Sequence, residues 1–245
     1  MADDGPDGWG APLHARVLEL AGVAAGTTLL DLGCGPGLFA RAAVDRGAVV
    51  TGVDVNPAVV AAAERAVPEG RFRVGDAEEP PPGPFDVVTG VQLLQHVSSP
   101  LAVLRGAGAI GGTVVVTVWG RESECDIGAF GEVLGRWLPP RPTPPGPPPV
   151  TDPDRLVSLA RTAGLDVVQL DEVLCPFTYP DADELVGPLF ETGMGRAAMN
   201  RAGPGAVREA VLERLEERRQ PDGSYVLQNL FRVLLATPTN GTVVA

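Results

Sequence analysis

The stretch Leu29-Leu30-Asp31-Leu32-Gly33-Cys34-Gly35-Pro36-Gly37 is an apolar strand that runs straight into three alternate glycines, with a helix-forming segment from Leu38 behind it. Glycines in such a turn let the chain bend sharply and let backbone amides and carbonyls approach a ligand with no Cβ in the way. The carboxyl end of a strand of this kind is where doubly wound sheets bind ligands. A dinucleotide site wants glycines spaced G-x-G-x-x-G, and a pattern starting at Gly33 meets Leu38 where the third should stand. A phosphate loop fails for want of Gly-Lys-Ser/Thr.

Outward from this turn, β-type runs alternate with Ala-rich helical stretches, as in an α/β fold with a mainly parallel sheet. The spacing predicts strands over Thr28–Leu32, Val49–Asp54, Arg71–Val74, Phe85–Thr89, Thr113–Trp119, Leu165–Leu174 and Ser224–Thr237. Helices are expected over Ala11–Leu20, Leu38–Asp45, Pro57–Ala66, Pro100–Gly106, Arg121–Leu138, Asp152 or Asp154 to Ala163, Ala182–Met194 and Gly205–Arg219. Residues 1–245 read as one domain, with a flexible start and a first helix over 1–20. Insertions at 121–150 and 180–220 are expected to cover a substrate site. Pro139–Pro149, nearly all proline, reads as a stiff crossing strap.

Two acids follow the glycine turn at strand ends. Asp54, 17 residues beyond Gly37 and followed by Val55, can accept both hydroxyl protons of a ribose, or can serve as a turn or cap residue. Asp76, in Gly75-Asp76-Ala77, can accept the amino hydrogens of an adenine, or stand as an exposed turn aspartate before Pro80-Pro81-Pro82.

Composition narrows the classes. The net charge of −12 argues against nucleic acid and anionic membranes as partners. No apolar run approaches the roughly 20 residues of a membrane-spanning helix. The acidic, Gly- and Pro-broken start is unlike a secretory signal, which points to a cytoplasmic protein. Cys34, Cys125 and Cys175 are odd in number and lack close metal-type spacing, so no metal site is expected. Every basic residue is Arg, which excludes chemistry that needs a lysine.

With these motifs in order, the chain resembles the Rossmann-like, class I S-adenosylmethionine-dependent methyltransferases of the small-molecule type. Leu30–Gly37 matches the first motif, Gly52-Val53-Asp54 the second, Gly75-Asp76-Ala77 the third and Phe85-Asp86-Val87-Val88 the fourth, over about Leu13 to Trp119. The resemblance implies a doubly wound mixed sheet of seven strands with the last antiparallel, and a helical lid insertion. It also implies S-adenosyl-L-methionine as cofactor, with S-adenosyl-L-homocysteine as product. Asp31, Gly33, Cys34, Gly35 and Gly37 would hold its methionine part, Asp54 and Val55 the ribose, and Asp76 and Ala77 the adenine. Val91 and Gln92, after the fourth strand, would lie beside them. His96 matches a position beside the reactive sulfonium and is the candidate base, with a local hydrogen-bonding duty as the other reading. Trp9, His14, Trp119, Phe130 and Tyr179 are the substrate-side candidates. His14 lies in a first helix that resembles the family's lid over the cofactor, with an exposed helix position as its other reading, and Trp9 would close that lid. Phe130 and Tyr179 would supply an apolar wall, with core packing as their other duty. Displacement at a sulfonium asks for orientation and exclusion of water more than for a strong acid or a metal. The expected function is methyl transfer to a small molecule of secondary metabolism by a monomer or homodimer, with a non-methylating cyclisation or rearrangement on the same fold as the alternative. The segment Leu104 to Gly112, short and glycine-rich beside similar sequences, puts local packing in question.

Overall fold

The strand that runs into the glycine turn is buried along nearly its whole length, as a parallel strand covered on both faces must be. The computed structural model describes Pro6, residues 8–140 and residues 146–239. Its sheet is made of β1 (Thr28–Leu32), β2 (Val49–Asp54), β3 (Arg71–Val74), β4 (Phe85–Gly90), β5 (Gly111–Trp119), β6 (Leu165–Tyr179) and β7 (Tyr225–Pro238). Their order is β3-β2-β1-β4-β5-β7-β6. The first five pair in parallel and β7 pairs antiparallel with β5, from Val114 opposite Ala236 to Trp119 opposite Phe231. This is the Rossmann-like mixed sheet expected from the sequence. Strand order reverses between β1 and β4, so the crevice at their carboxyl ends is the natural place for a ligand.

Local signals account for the helices of this part. In α3 (Pro57–Ala66), Asn56 accepts from the Ala58 amide at 3.0 Å and Pro57 occupies the first turn. The same arrangement of side-chain cap and leading proline starts α4 (Pro100–Ile110) at Ser99 and α6 (Pro153–Thr162) at Asp152; such caps contribute about 1 kcal/mol each. Both α1 (Ala11–Leu20) and α2 (Leu38–Asp45) keep the predicted bounds. Asp86, from the fourth motif, has a structural duty: it accepts from the Thr28 amide and hydroxyl at 2.8 and 2.7 Å, clamping the start of β4 to that of β1. Those bonds hold its carboxyl below the usual range.

The chain divides into two compact units. One comprises Ala11–Trp119, Pro147–Val173 and the chain from Phe231, and its core gathers Leu30, Leu32, Val88, Val114 and Val116 of the sheet with Leu104 of α4 and Leu156 of α6. The other comprises Met1–Gly10, Gly120–Gly146 and Leu174–Leu230. It is largely helical: α5 (Gly128–Gly135), α7 (Ala182–Phe190), α8 (Gly193–Ala202) and α9 (Pro204–Arg214) bury Val133, Leu134, Leu185, Val186, Ala198, Val207 and Val211.

Most departures from the sequence reading lie in this second unit. The single helix expected over Arg121–Leu138 is a 3₁₀ turn, Glu122–Glu124, followed by α5, because Cys125 leaves the helix to bridge Asn229 and the Asp126 amide donates to the Gln228 carbonyl. Ala182–Met194 is likewise two helices: Thr192 caps the second by accepting from the Gly195 amide at 2.9 Å. Beyond α9 the expected helix finishes as a 3₁₀ turn, Glu216–Arg218. The remaining differences are extensions, β6 running on to Tyr179 and α4 to Ile110, directly against β5. That junction resolves the short glycine-rich segment. A Cβ at Gly106 would stand 2.7 Å from Pro80, at Gly108 2.8 Å from Leu165, and at Gly111 2.6 Å from Val88. The strap expected over Pro139–Pro149 falls partly, at residues 141–145, outside the described residues.

Candidate functional site

The glycine turn is held open by its backbone. Gly33, Gly35 and Gly37 have φ of 70°, 53° and 91°, a region that L side chains rarely adopt. Gly33 and Cys34 donate their amides to the Val53 carbonyl at 2.8 and 3.0 Å, tying the turn to the end of β2. A Cβ at Gly33 would stand 2.7 Å from Leu93 and one at Gly37 would stand 3.2 Å from the Ala63 backbone, whereas nothing lies within 4 Å of one at Gly35. The turn therefore needs glycine for angle at all three positions and for room at two.

Beside it is a cavity of about 400 Å³, lined by residues of the turns after β1, β2, β3 and β4. It brings together Gly33, Asp54, Val55, Asp76, Ala77, Gln92 and His96 of the residues singled out from sequence, with Glu78, Leu93 and Ser98 among those that were not. Asp54 accepts from the Gly35 amide at 3.1 Å through Oδ2 and from the Asn56 amide at 2.9 Å through Oδ1. A carboxylate oxygen has two acceptor sites, so each retains one for a vicinal diol. Asp76 accepts from the Glu78 amide at 2.9 Å, and Glu78 in turn accepts from the Ser99 amide at 2.8 Å. These bonds fix the floor of the cavity before any ligand arrives.

Asp31, Cys34, Gly35, Gly37 and Val91 adjoin this lining in sequence without being part of it. Asp31 is 1% exposed and accepts from the Thr89 hydroxyl at 2.9 Å. Burial pushes its carboxyl up to about 7, with the nearby Asp54 charge adding and the Thr89 bond opposing. Such a group gains from a nearby cation, which would restore its ionised form. Burial first, with the Asp31 and Asp54 charges adding, likewise pushes the Cys34 thiol up, so it is no nucleophile.

His96 is exposed at the cavity rim, its amide donating to the Leu93 carbonyl at 2.9 Å. His14 packs edge-on against Phe39, ring centroids 5.5 Å apart; burial lowers its imidazole to about 4 and keeps it neutral at pH 7. Trp119 stacks on Phe231 at 4.4 Å. In the helical unit, Trp9 packs on Phe177 at 5.1 Å, Phe130 lies half-buried on α5, and Tyr179 ends β6 with its phenol pushed up to about 12 by burial. Sequence reading missed Thr89, Leu93, Gln95 and Thr117. The two threonines left a weak signal: Thr89 directly follows Val87-Val88 and Thr117 directly follows Val114-Val115-Val116, each a polar residue after a β-branched run.

The residues present fit S-adenosyl-L-methionine: a side-chain-free turn, an acid with acceptor sites left for a diol, and a second acid at the next strand end. Residues 11–170 match a family model described as a methyltransferase domain. The chain belongs to that methyltransferase family. A ubiquinone biosynthesis O-methyltransferase of Pseudomonas paraeruginosa is 38% identical over 101 residues, a match covering 38% of this chain and 44% of the relative. The chain thus spans less than half the length of that relative. Among solved structures, the [4+2]-cyclase SpnF has a TM-score of 0.59 at 22% identity, covering 94% of this chain and 81% of that one. A magnesium protoporphyrin IX methyltransferase of Synechocystis PCC 6803, solved with bound SAH, has a TM-score of 0.55 at 14% identity, covering 93% and 80%. These structural likenesses establish the fold. Among the described residues no helix is long and apolar enough to cross a membrane, and no cluster of His, Cys, Asp and Glu is placed to hold a metal.

Proposed function

We propose that this protein transfers the methyl group of S-adenosyl-L-methionine to a small-molecule acceptor of secondary metabolism. The observation that carries the reading is the cavity at the switch point of the sheet, where the glycine turn, Asp54 and Asp76 converge. The cofactor supplies an activated methyl group on a cationic sulfur. For this chain's own residues, Asp54 binds the ribose diol through its two remaining acceptor sites, Asp76 and Ala77 take the adenine edge, and Leu93 packs against Gly33 to close the turn to water. Orientation of the reacting atoms and dryness supply most of the acceleration in such a displacement. His96 is the group at the rim able to take a proton from an acceptor hydroxyl, a step worth about 10²–10⁴ in rate. Trp9, Phe130 and Tyr179 stay as aromatic candidates for contact with the acceptor. The excess of acid over base supports a neutral or cationic organic acceptor in preference to nucleic acid.

The test is incubation with methyl-labelled donor and a panel of phenols, hydroxy-polyketides and amines. Label in one product supports transfer; turnover of an acceptor with no label incorporated would assign a cyclisation or rearrangement instead. No heat with S-adenosyl-L-homocysteine in calorimetry would remove the donor site altogether.

A further inference from the structure

The turn after β4 contains the one non-glycine residue among those described with positive φ, Gln92 at 54°. A long side chain in that region is strained and persists only where the surroundings impose it. Here the constraint is a relay of buried or half-buried polar groups. Thr117, fully buried on β5, accepts through Oγ1 from both the Gln92 amide at 2.9 Å and Gln92 Nε2 at 3.0 Å. Gln95 Nε2 then donates to the Gln92 carbonyl and to Gln92 Oε1, both at 3.0 Å. Two oxygens at that distance fix which way the Gln95 amide points, because its reverse would set oxygen against oxygen. The orientation has a cost: Gln95 Oε1 is buried with no hydrogen-bond partner among the described residues. An orphaned acceptor of this kind gives up its bond to water without a replacement.

A strained backbone and an unsatisfied acceptor in one five-residue turn are two penalties that folding alone would not retain. Their common effect is on three side chains. With Gln92 held left-handed, Gln92, Leu93 and His96 line the donor cavity, and Leu93 fills the volume that a Cβ at Gly33 would need. Neither Thr117 nor Gln95 lines the cavity. We infer that Thr117 and Gln95 are positioning residues, which act through Gln92 to set the wall of the donor cavity and bear a stability cost to do so. This rests on the donor-site reading above.

The experiment uses the full chain, with S-adenosyl-L-homocysteine in calorimetry and thermal melting read in parallel. Thr117→Val keeps the shape and removes the acceptor, and should weaken binding about tenfold, whereas Thr117→Ser should stay within about twofold of wild type. Gln95→Leu removes the orphaned oxygen together with the two bonds from Gln95 Nε2, so the two changes offset and it should melt close to wild type while binding about tenfold more weakly. That separation of affinity from stability is what a purely structural role would not produce. Wild-type affinity in Gln95→Leu, or in a folded Thr117→Val, overturns the inference. Wild-type protein that itself shows no heat overturns the donor-site reading, and with it any purpose for the relay.

Discussion

The two units of the chain treat backbone polar groups differently, and the difference explains which of them can be read from sequence. In the unit that holds the donor cavity, turns are dictated by residues within a few positions: glycines at positive φ, Asn56 and Ser99 as caps, prolines in first turns. In the helical unit, the break between the 3₁₀ turn at Glu122–Glu124 and α5 is imposed from far along the chain. Asp126 bonds with Gln228, 102 residues on, and Cys125 bridges Asn229. Local chemistry is visible in a sequence; pairing at that separation is not.

The steepest way to break this contrast is to add a single methyl group in each unit. A Cβ at Gly195 would stand 2.0 Å from the Leu189 carbonyl oxygen, and its next neighbours, Leu189 C and Phe190 Cα, are backbone too. Gly195→Ala should therefore cost more than about 4 kcal/mol, read as a collapse of the urea midpoint. Gly37→Ala should cost about 1–3 kcal/mol for its φ, and equal losses would refute the distinction.

Asp31 tests the cavity unit by pH. Its native pKa, about 7, is raised above the unfolded value, so the proton is bound more tightly in the folded protein. Its contribution to stability is full below about pH 4 and is lost as pH rises through 7, by up to roughly 4 kcal/mol, because each tenfold gain in proton affinity is worth about 1.4 kcal/mol. Asp31→Asn should flatten the difference in urea stability between pH 4 and 8; parallel curves would place the raised group elsewhere.

For His96→Ala, turnover with the identified acceptor should fall about a hundredfold while affinity for S-adenosyl-L-homocysteine stays within twofold. A loss confined to affinity would make His96 a wall residue. Asp54→Ala should weaken binding of the same ligand by at least about tenfold in a chain that still folds, since charge-assisted bonds of this kind contribute about 1.5–3 kcal/mol.

The smallest effect compares caps between the units. Asn56→Ala and Thr192→Ala should each cost about 1 kcal/mol by denaturant titration. A much larger loss at Thr192 would show that it does more than separate α7 from α8.

The bounds of α1, α2, α3, β1, β2 and β3 were legible because composition, caps and punctuation agreed. At the site, the glycines and strand-end acids were legible because each residue type has few other reasons to stand there. Gln95 and Leu93 were not. Nothing local distinguishes a glutamine in a polar relay from one in solvent, or a leucine that fills a glycine's missing volume from one in the core. The expected long helix over Arg121–Leu138 failed for the reason seen at Asp126: propensity yielded to a distant strand.

The joint between α4 and β5 leaves no clearance. With Gly106, Gly108 and Gly111 each facing a side chain closer than a methyl group tolerates, the chain passes from helix to strand with no loop to absorb error. Alanine at each of these three glycines would be expected to lower the melting temperature, because a neighbour has to shift to admit it. Gly22 and Gly26, exposed and with empty space around them, are still held to glycine by φ of 63° and 84°, as Gly35 is.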